Sequence, residues 1–181
     1  HKPADVHKMV FIAHKHVKSE DDRWLYLPGL DLVKRIAASD ERTSFVGSDF
    51  FYEDVSGRGL NEDRHELIET SKSYYLLKHT PKKASSVEFS YYKMWVHKGT
   101  FLPTKVEYFD KKGKKYRVMT VDAVESIQGF KTVVKATIQS LDAGTKTTVV
   151  YDGVKYDVGL PAKVFTERYL RRAPLKYLKA R

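Results

Sequence analysis

"VEFSYYKMWVHKGTFLPTKVEYFDKKGKKYRVMTVD", residues Val87 to Asp122, decides the fold. It contains three runs rich in β-branched and aromatic residues, Val87 to His97, Thr104 to Phe109 and Lys115 to Asp122. Such composition between turn signals predicts strands. The connection "DKKGK", Asp110 to Lys114, is a short glycine-containing hairpin loop. Two more runs follow, Phe130 to Leu141 and Thr145 to Asp152, joined through "DAGT". Together they predict an antiparallel meander. In the first run, Val87, Phe89, Tyr91 and Trp95 share one parity, and Tyr92, Met94 and Val96 share the other. Successive strand side chains point to opposite faces, so this strand is expected to be covered on both sides. In the fourth run, Phe130, Thr132, Val134, Ala136 and Ile138 oppose Lys131, Lys135, Thr137 and Gln139, so one face there meets water. A sheet covered on both sides in the middle and on one side later is a curved sheet or open barrel with something inside.

The N-terminal half carries the same kind of signal, less cleanly. Val6 to Val17 reads as β, then a polar turn leads into "RWLYL", Arg23 to Leu27. There Trp24 and Tyr26 share one face, and Leu25 and Leu27 the other. Pro28-Gly29 turns the chain back into Leu32 to Ala37. Ser39 to Asp49 reads as a long loop, and Phe50 to Val55 as a short aromatic strand ended by Ser56-Gly57-Arg58-Gly59. Leu60 to Thr70 is open between a helix capped by Asn61 and a strand from His65. A strand from Tyr74 to His79 precedes the meander. From Leu160-Pro161 onward, Val164, Phe165, Tyr169 and Leu170 alternate with Arg168, Arg171 and Arg172 until Pro174 interrupts. This appendage, 161–181, is expected to pack its aromatics on the barrel end. The other reading is a basic amphipathic helix in peripheral contact with a membrane.

At 181 residues with 41% hydrophobic content the chain suits a single folded domain, 1–181. No apolar run approaches the roughly 20 residues that span a bilayer, and no signal peptide is visible at the start. His1 is not an initiator methionine, so an upstream segment is expected to have been removed. The net charge of +10 admits nucleic acid, an anionic membrane or an acidic protein as partner. Yet the lysines fall in pairs such as Lys82-Lys83, Lys111-Lys112 and Lys114-Lys115, where turns are expected, as in a β protein that protects its edges. The absence of cysteine excludes disulfides, thiolate metal sites and cysteine nucleophiles.

Motifs for chemistry are sparse. His14 and His16 have an acceptable ligand spacing, but Lys15 and Lys18 oppose a cation and no third ligand is near in sequence. There is no G-x-S-x-G elbow; Ser48 and Asp49 suit a turn instead. Glu53 and Asp54 would lie on opposite faces of a strand, which is no acid/base pair. Glu62, Asp63 and Glu66 with Arg64 and His65 read as a solvated loop. Glycine-rich phosphate motifs are missing, and "SGRGL" is only a flexible break. Tyr91, Tyr92, Lys93 and Trp95 imitate a nucleic-acid surface locally, but the wider alternation turns such rings inward. The expectation is no enzyme, no cofactor, no metal and no nucleic acid. What remains is an excess of large apolar side chains. Trp24, Tyr26, Phe45, Phe50, Tyr52, Tyr91 and Trp95 are the candidate lining of a hydrophobic cavity suited to acyl chains.

Three stretches then carry a resemblance: "RWLYLPGLDLVKRIAASDERTSFVGSDFFYEDVS", "YYKMWVHKGTFLPTKVEYFDKKGK" and "GLPAKVFTERYLRR". In this order the chain resembles outer-membrane lipoprotein-sorting proteins with a LolA-like fold, from about Val10 to Arg172. The matching positions are Trp24, Tyr26 and Pro28; Gly47 to Phe50 with Tyr52, Glu53 and Asp54; and Leu102, Pro103, Lys105, Glu107, Tyr108, Asp110, Gly113 and Lys114. The resemblance implies a mainly β fold, an unclosed half β-barrel of curved antiparallel sheet with a few short helices across its concave face. It also implies a periplasmic carrier that shelters the acyl chains of a lipid or lipoprotein. The alternative is a non-catalytic module that docks an RND-type inner-membrane exporter or an envelope protein through its basic surface. Such folds usually begin with a helix and an extra strand, and this chain is expected to start after them. A carrier needs a mobile cover, and the Ser39 to Asp49 loop is the candidate.

Overall fold

The computed structural model describes residues 6–172. Two antiparallel sheets are built from β1 (Val10–His14), β2 (Asp22–Leu27) and β3 (Leu32–Ile36), and from β4 (Asp63–Thr70), β5 (Tyr74–Pro81), β6 (Phe89–His97), β7 (Pro103–Asp110), β8 (Lys115–Ile127), β9 (Phe130–Ser140) and β10 (Thr145–Val150). The first sheet runs β1-β2-β3 and the second runs β10 to β4 in unbroken sequence order, a plain meander. The large sheet is unclosed, because β4 and β10 are its two edges. Among the described residues two short α-helices are added, α1 (Tyr52–Ser56) and α2 (Glu167–Arg171). The fold is mainly β and open.

The meander follows the sequence closely, with β8 reaching further than its apolar run. Lys115–Ile127 continues to a two-residue hairpin at Gln128-Gly129, both at positive φ (51° and 87°). That conformation matches the twist of antiparallel strands, and glycine takes it without penalty. β9 keeps its expected alternation from Thr132 onward, with Thr132, Val134, Ala136 and Ile138 buried, while Phe130 at its start is exposed.

Parity in β6 is where the sequence misleads. A β-bulge between Phe89 and Tyr91 leaves Ser90 unpaired, and the Ser90 hydroxyl donates to the carbonyls of Phe109 (3.1 Å) and Asp110 (2.5 Å). One extra residue exchanges the faces of everything beyond it. Phe89, fully buried, therefore shares the inner face with Tyr92, in the core cluster of Val87, Phe89, Tyr92, Val106 and Tyr108. Tyr91 and Trp95 fall on the outer face.

The expected strand from Phe50 to Val55 is not one: Phe51 makes a lone bridge to Ser44, and the helix α1 starts at Tyr52. The Asp54 carboxylate accepts the Phe51 N–H (2.6 Å) at its first turn, and Gly57 at φ 80° ends it. α1 lies between the two sheets. Its Tyr52 packs with Leu25 and Ile36 of the small sheet, where Phe11, Leu27 and Phe45 join. Its Glu53 and Asp54 turn to the large sheet. α2 lies instead against β1, β2 and β3, burying Leu170, with Val164 just before it also buried. Pro174 and the rest of the C-terminal appendage lie outside the described residues.

Candidate functional site: a groove between the large sheet and α1

Register places two rows of side chains on the inner face of the large sheet. The apolar row pairs Leu77 with Met94, Met94 with Val106, Val106 with Met119 and Met119 with Ile138. The polar row pairs His65 with His79, His79 with Tyr92, Tyr92 with Tyr108 and Tyr108 with Arg117. The segment from α1 to Leu60 stands off this face and leaves a groove of about 450 Å³. Its walls are Leu77, Met94, Val106 and Met119 on one side and, on the other, Glu53 and Asp54 of α1 with Gly57, Arg58, Gly59 and Leu60. His65, His79 and Tyr92 stand at one end. This volume lies within the range of small-ligand sites.

The floor under α1 is charged. Arg42 bridges Glu53 and Glu88, Arg58 bridges Glu53, Glu62 and Asp63, and Arg117 holds Asp54. Arg23, 1% exposed, reaches Asp21 and Glu41 (each 2.9 Å). The guanidinium faces are also stacked on rings: Arg117 lies 4.2 Å from the Phe51 centroid and Arg42 4.8 Å from that of Phe89. Burial disfavours the charge on Glu88, but the hydrogen bond and charge of Arg42 and the Tyr116 hydrogen bond together outweigh it and hold the carboxyl below its ordinary value. Glu41, half-buried beside Glu53, is pushed up instead. Oxygens of Glu41, Glu53 and Glu62 lie within 4.8 Å of one another. Arg23, Arg42 and Arg58 supply the opposing charge there, so the cluster is the core of an ion-pair network.

At the groove's end, Tyr92 donates its hydroxyl to Asp63 (2.8 Å), which also accepts from Arg58 (2.9 Å twice). The His79 ring stacks on Tyr92 at 4.4 Å and 3°. His79 Nδ1 meets His65 Nδ1 at 2.7 Å, and His65 Nε2 meets the Leu60 carbonyl at 2.8 Å. Burial, and then His65, push the His79 imidazole down to about 4, against an opposing pull from Asp63. Burial lifts the Tyr108 hydroxyl to about 12.

None of the seven aromatic residues expected to line a cavity lines this groove. Phe45 and Tyr52 pack edge to face (5.4 Å) in the small-sheet core. Leu25 and Leu27 face that same core, so Trp24 and Tyr26 point the other way. Trp24 meets His14 (5.2 Å), and Tyr26 meets Arg171 of α2. Phe50 is half-buried in the loop ahead of α1, its carbonyl accepting from Phe45 N–H (2.6 Å). The Ser90 bulge turns Tyr91 outward to stack on Phe109 at 4.6 Å, and turns Trp95 outward beneath Lys105. The residues that do line the groove had one sequence signal, the second parity class Tyr92, Met94 and Val96. His14 and His16 diverge, to the Phe165 carbonyl (2.6 Å) and to Asp22 (3.1 Å). The Ser39 to Asp49 loop is tied down at both ends, by Arg42 and by Asp49, whose carboxylate accepts from Thr145 (2.5 Å) and Thr147 (2.7 Å).

A family model described only as an uncharacterized protein matches residues 1–172. A DUF1329 family protein from Desulfovibrio piger is 31% identical in its crystal structure, covers 93% of this chain and 73% of its own, and superposes with a TM-score of 0.81. The chain belongs to the DUF1329 family. A second structure similar to this DUF1329 chain is a domain from Vibrio parahaemolyticus named as an outer membrane lipoprotein-sorting protein. It is 26% identical, with a TM-score of 0.84 over 94% of this chain and 74% of that one. A LolA superfamily protein from Nitrosomonas europaea shares the fold at 20% identity, with a TM-score of 0.53 over 82% of this chain and 67% of that one. No curated protein matches the DUF1329 chain. Among its described residues no helix is long and apolar enough to cross a membrane.

Proposed function

We propose that this chain binds the acyl chain of a lipid or lipoprotein in the groove, as a non-catalytic carrier in the bacterial periplasm. The observation that carries the reading is the continuous apolar row Leu77, Met94, Val106 and Met119 along an accessible groove. Methionines suit such a wall, because an unbranched, polarizable thioether adapts to chains of different shape. The relation to a domain named for lipoprotein sorting supports the same reading. The charged floor beneath α1 supports it too, since it fixes the groove's far wall without filling the groove.

A second reading has its own observation. On the outer face, Lys78, Lys93 and Lys105 sit over Tyr91, Phe109 and Trp95 at 4.9, 5.6 and 4.9 Å, a basic surface held by its rings. Such a face suits docking to an acidic patch on an envelope protein or an exporter.

Native mass spectrometry of protein purified from a bacterial periplasm, with organic extraction of what is bound, separates the two. The carrier reading expects a defined mass adduct that extracts as a phospholipid or an acylated peptide, and loses it when Val106→Trp fills the groove. A clean apo mass from folded protein sinks the carrier reading and leaves the docking module.

A further inference from the structure

The end of the groove holds a polar atom that the fold leaves without a use. His79 is 6% exposed, and its Nε2 is, among the described residues, the one buried side-chain polar atom without a hydrogen-bond partner. Leaving such an atom bare costs about 1–3 kcal/mol, so structures rarely keep one without a reason.

The neighbouring hydrogen bonds fix what that atom offers. The Leu60 carbonyl can only accept, so His65 Nε2 carries its proton. In neutral His65 the Nδ1 is then bare, and the proton in the 2.7 Å contact with His79 belongs to His79 Nδ1. His79 Nε2 is therefore a buried acceptor with an unused lone pair, in a residue that forms the groove wall beside Leu77 and Met94. Tyr92, stacked flat on the imidazole, holds the ring in plane. The chemistry of the site narrows the donor. A carboxylate or phosphate brings no proton and would meet Asp63 and Glu53 nearby. An ammonium would need a free countercharge, yet Asp63 is already shared by Arg58 and Tyr92. A neutral donor beside an apolar chain fits both parts of the wall.

We propose that His79 Nε2 is the polar anchor of the groove, accepting a hydrogen bond from an amide N–H or a hydroxyl carried next to an acyl chain. This rests on the acyl-chain reading and adds the ligand's chemical class. An amide donor corresponds to an N-acyl group, and a hydroxyl donor to a hydroxylated chain or its alcohol head.

The test uses two matched pairs of probes in calorimetric titrations of the whole chain. N-methyldecanamide carries one N–H and N,N-dimethyldecanamide none; 1-dodecanol carries one O–H and its methyl ether none. At least one donor probe is expected to bind about tenfold more tightly than its blocked partner, the worth of one neutral hydrogen bond. The pair that discriminates identifies the source of the donor. In His79→Phe, which can keep the stack on Tyr92, the ratio within that pair falls to about one. Independently of any variant, the ¹⁵N resonance of His79 Nε2 is expected to move on adding the donor probe and to stay on adding its partner. Equal binding within both pairs, or a ratio that survives His79→Phe, overturns the anchor while leaving the acyl reading intact. Folded protein that binds none of the four probes overturns the acyl reading itself, and the anchor with it.

Discussion

At the residue scale, His79 couples the groove to acidity. Its ring is faced by His65 and Asp63 of β4 and by Tyr92 of β6, with Arg58 paired to Asp63. The folded value of about 4 lies below the ordinary 6.5, so the native state binds fewer protons than the unfolded chain. Stability is then fully present above pH 6.5 and falls as the pH drops toward 4. The whole window is worth on the order of 3 kcal/mol. Carboxylates such as Asp21, Glu88 and Glu107, all held low, act only below their own ordinary values near 4. Urea unfolding followed between pH 7 and 4.5 should show this slope, and His79→Phe should remove it. A slope unchanged in that variant would assign it to other groups. Nothing in the sequence pointed to this residue. His65 sat in an ambiguous segment and His79 at a strand end, and only the register of β4 on β5 brings their rings together.

At the element scale, the meander was legible because each strand is bounded by turn residues and patterned with period two. Its faces were not, because a bulge has no signature stronger than a small polar residue, here Ser90. Likewise α1 was read as a strand. It follows directly on Phe50 and Phe51 and opens with Tyr52, three aromatic residues with strand preference, and what makes it helical is tertiary, the arginines that hold Glu53 and Asp54 from outside. The bulge makes an asymmetric prediction about β6. Deleting Ser90 removes the unpaired residue and leaves Phe89 and Tyr92 both inward, costing about 1 kcal/mol for its bifurcated hydrogen bond. Deleting Lys93, a regularly paired residue, exchanges Met94 with Trp95 and brings an outer-face residue into the groove. Thermal unfolding is expected to find the first variant folded at a lower Tm and the second without a cooperative transition. Equal losses would mean that Ser90 is not the residue that sets the faces.

At the scale of the molecule, two sheets with separate apolar clusters have to behave as one body for the groove to keep its shape. The clusters share no buried residue: Leu25, Ile36 and Tyr52 form one, and Val87, Phe89, Tyr92, Val106 and Tyr108 the other. What joins them is α1, which gives Tyr52 to the first and, through Glu53 and Asp54, anchors the arginines stacked on the rings of the second. An ion network in that position gains little net stability over apolar packing, but breaking it from one side strands buried charge. Loosening α1 from the small-sheet side should therefore be felt across the large sheet. Tyr52→Ala empties a buried aromatic site, at a cost of about 3–5 kcal/mol. Amide hydrogen exchange reads the consequence at two places, Leu25 in β2 and Val106 in β7. If α1 makes the sheets one cooperative unit, both amides lose protection by the same free energy in Tyr52→Ala. Loss confined to Leu25 would make the small sheet with α1 a separately opening flap over the groove, and would supply the moving cover that the tied Ser39 to Asp49 loop does not.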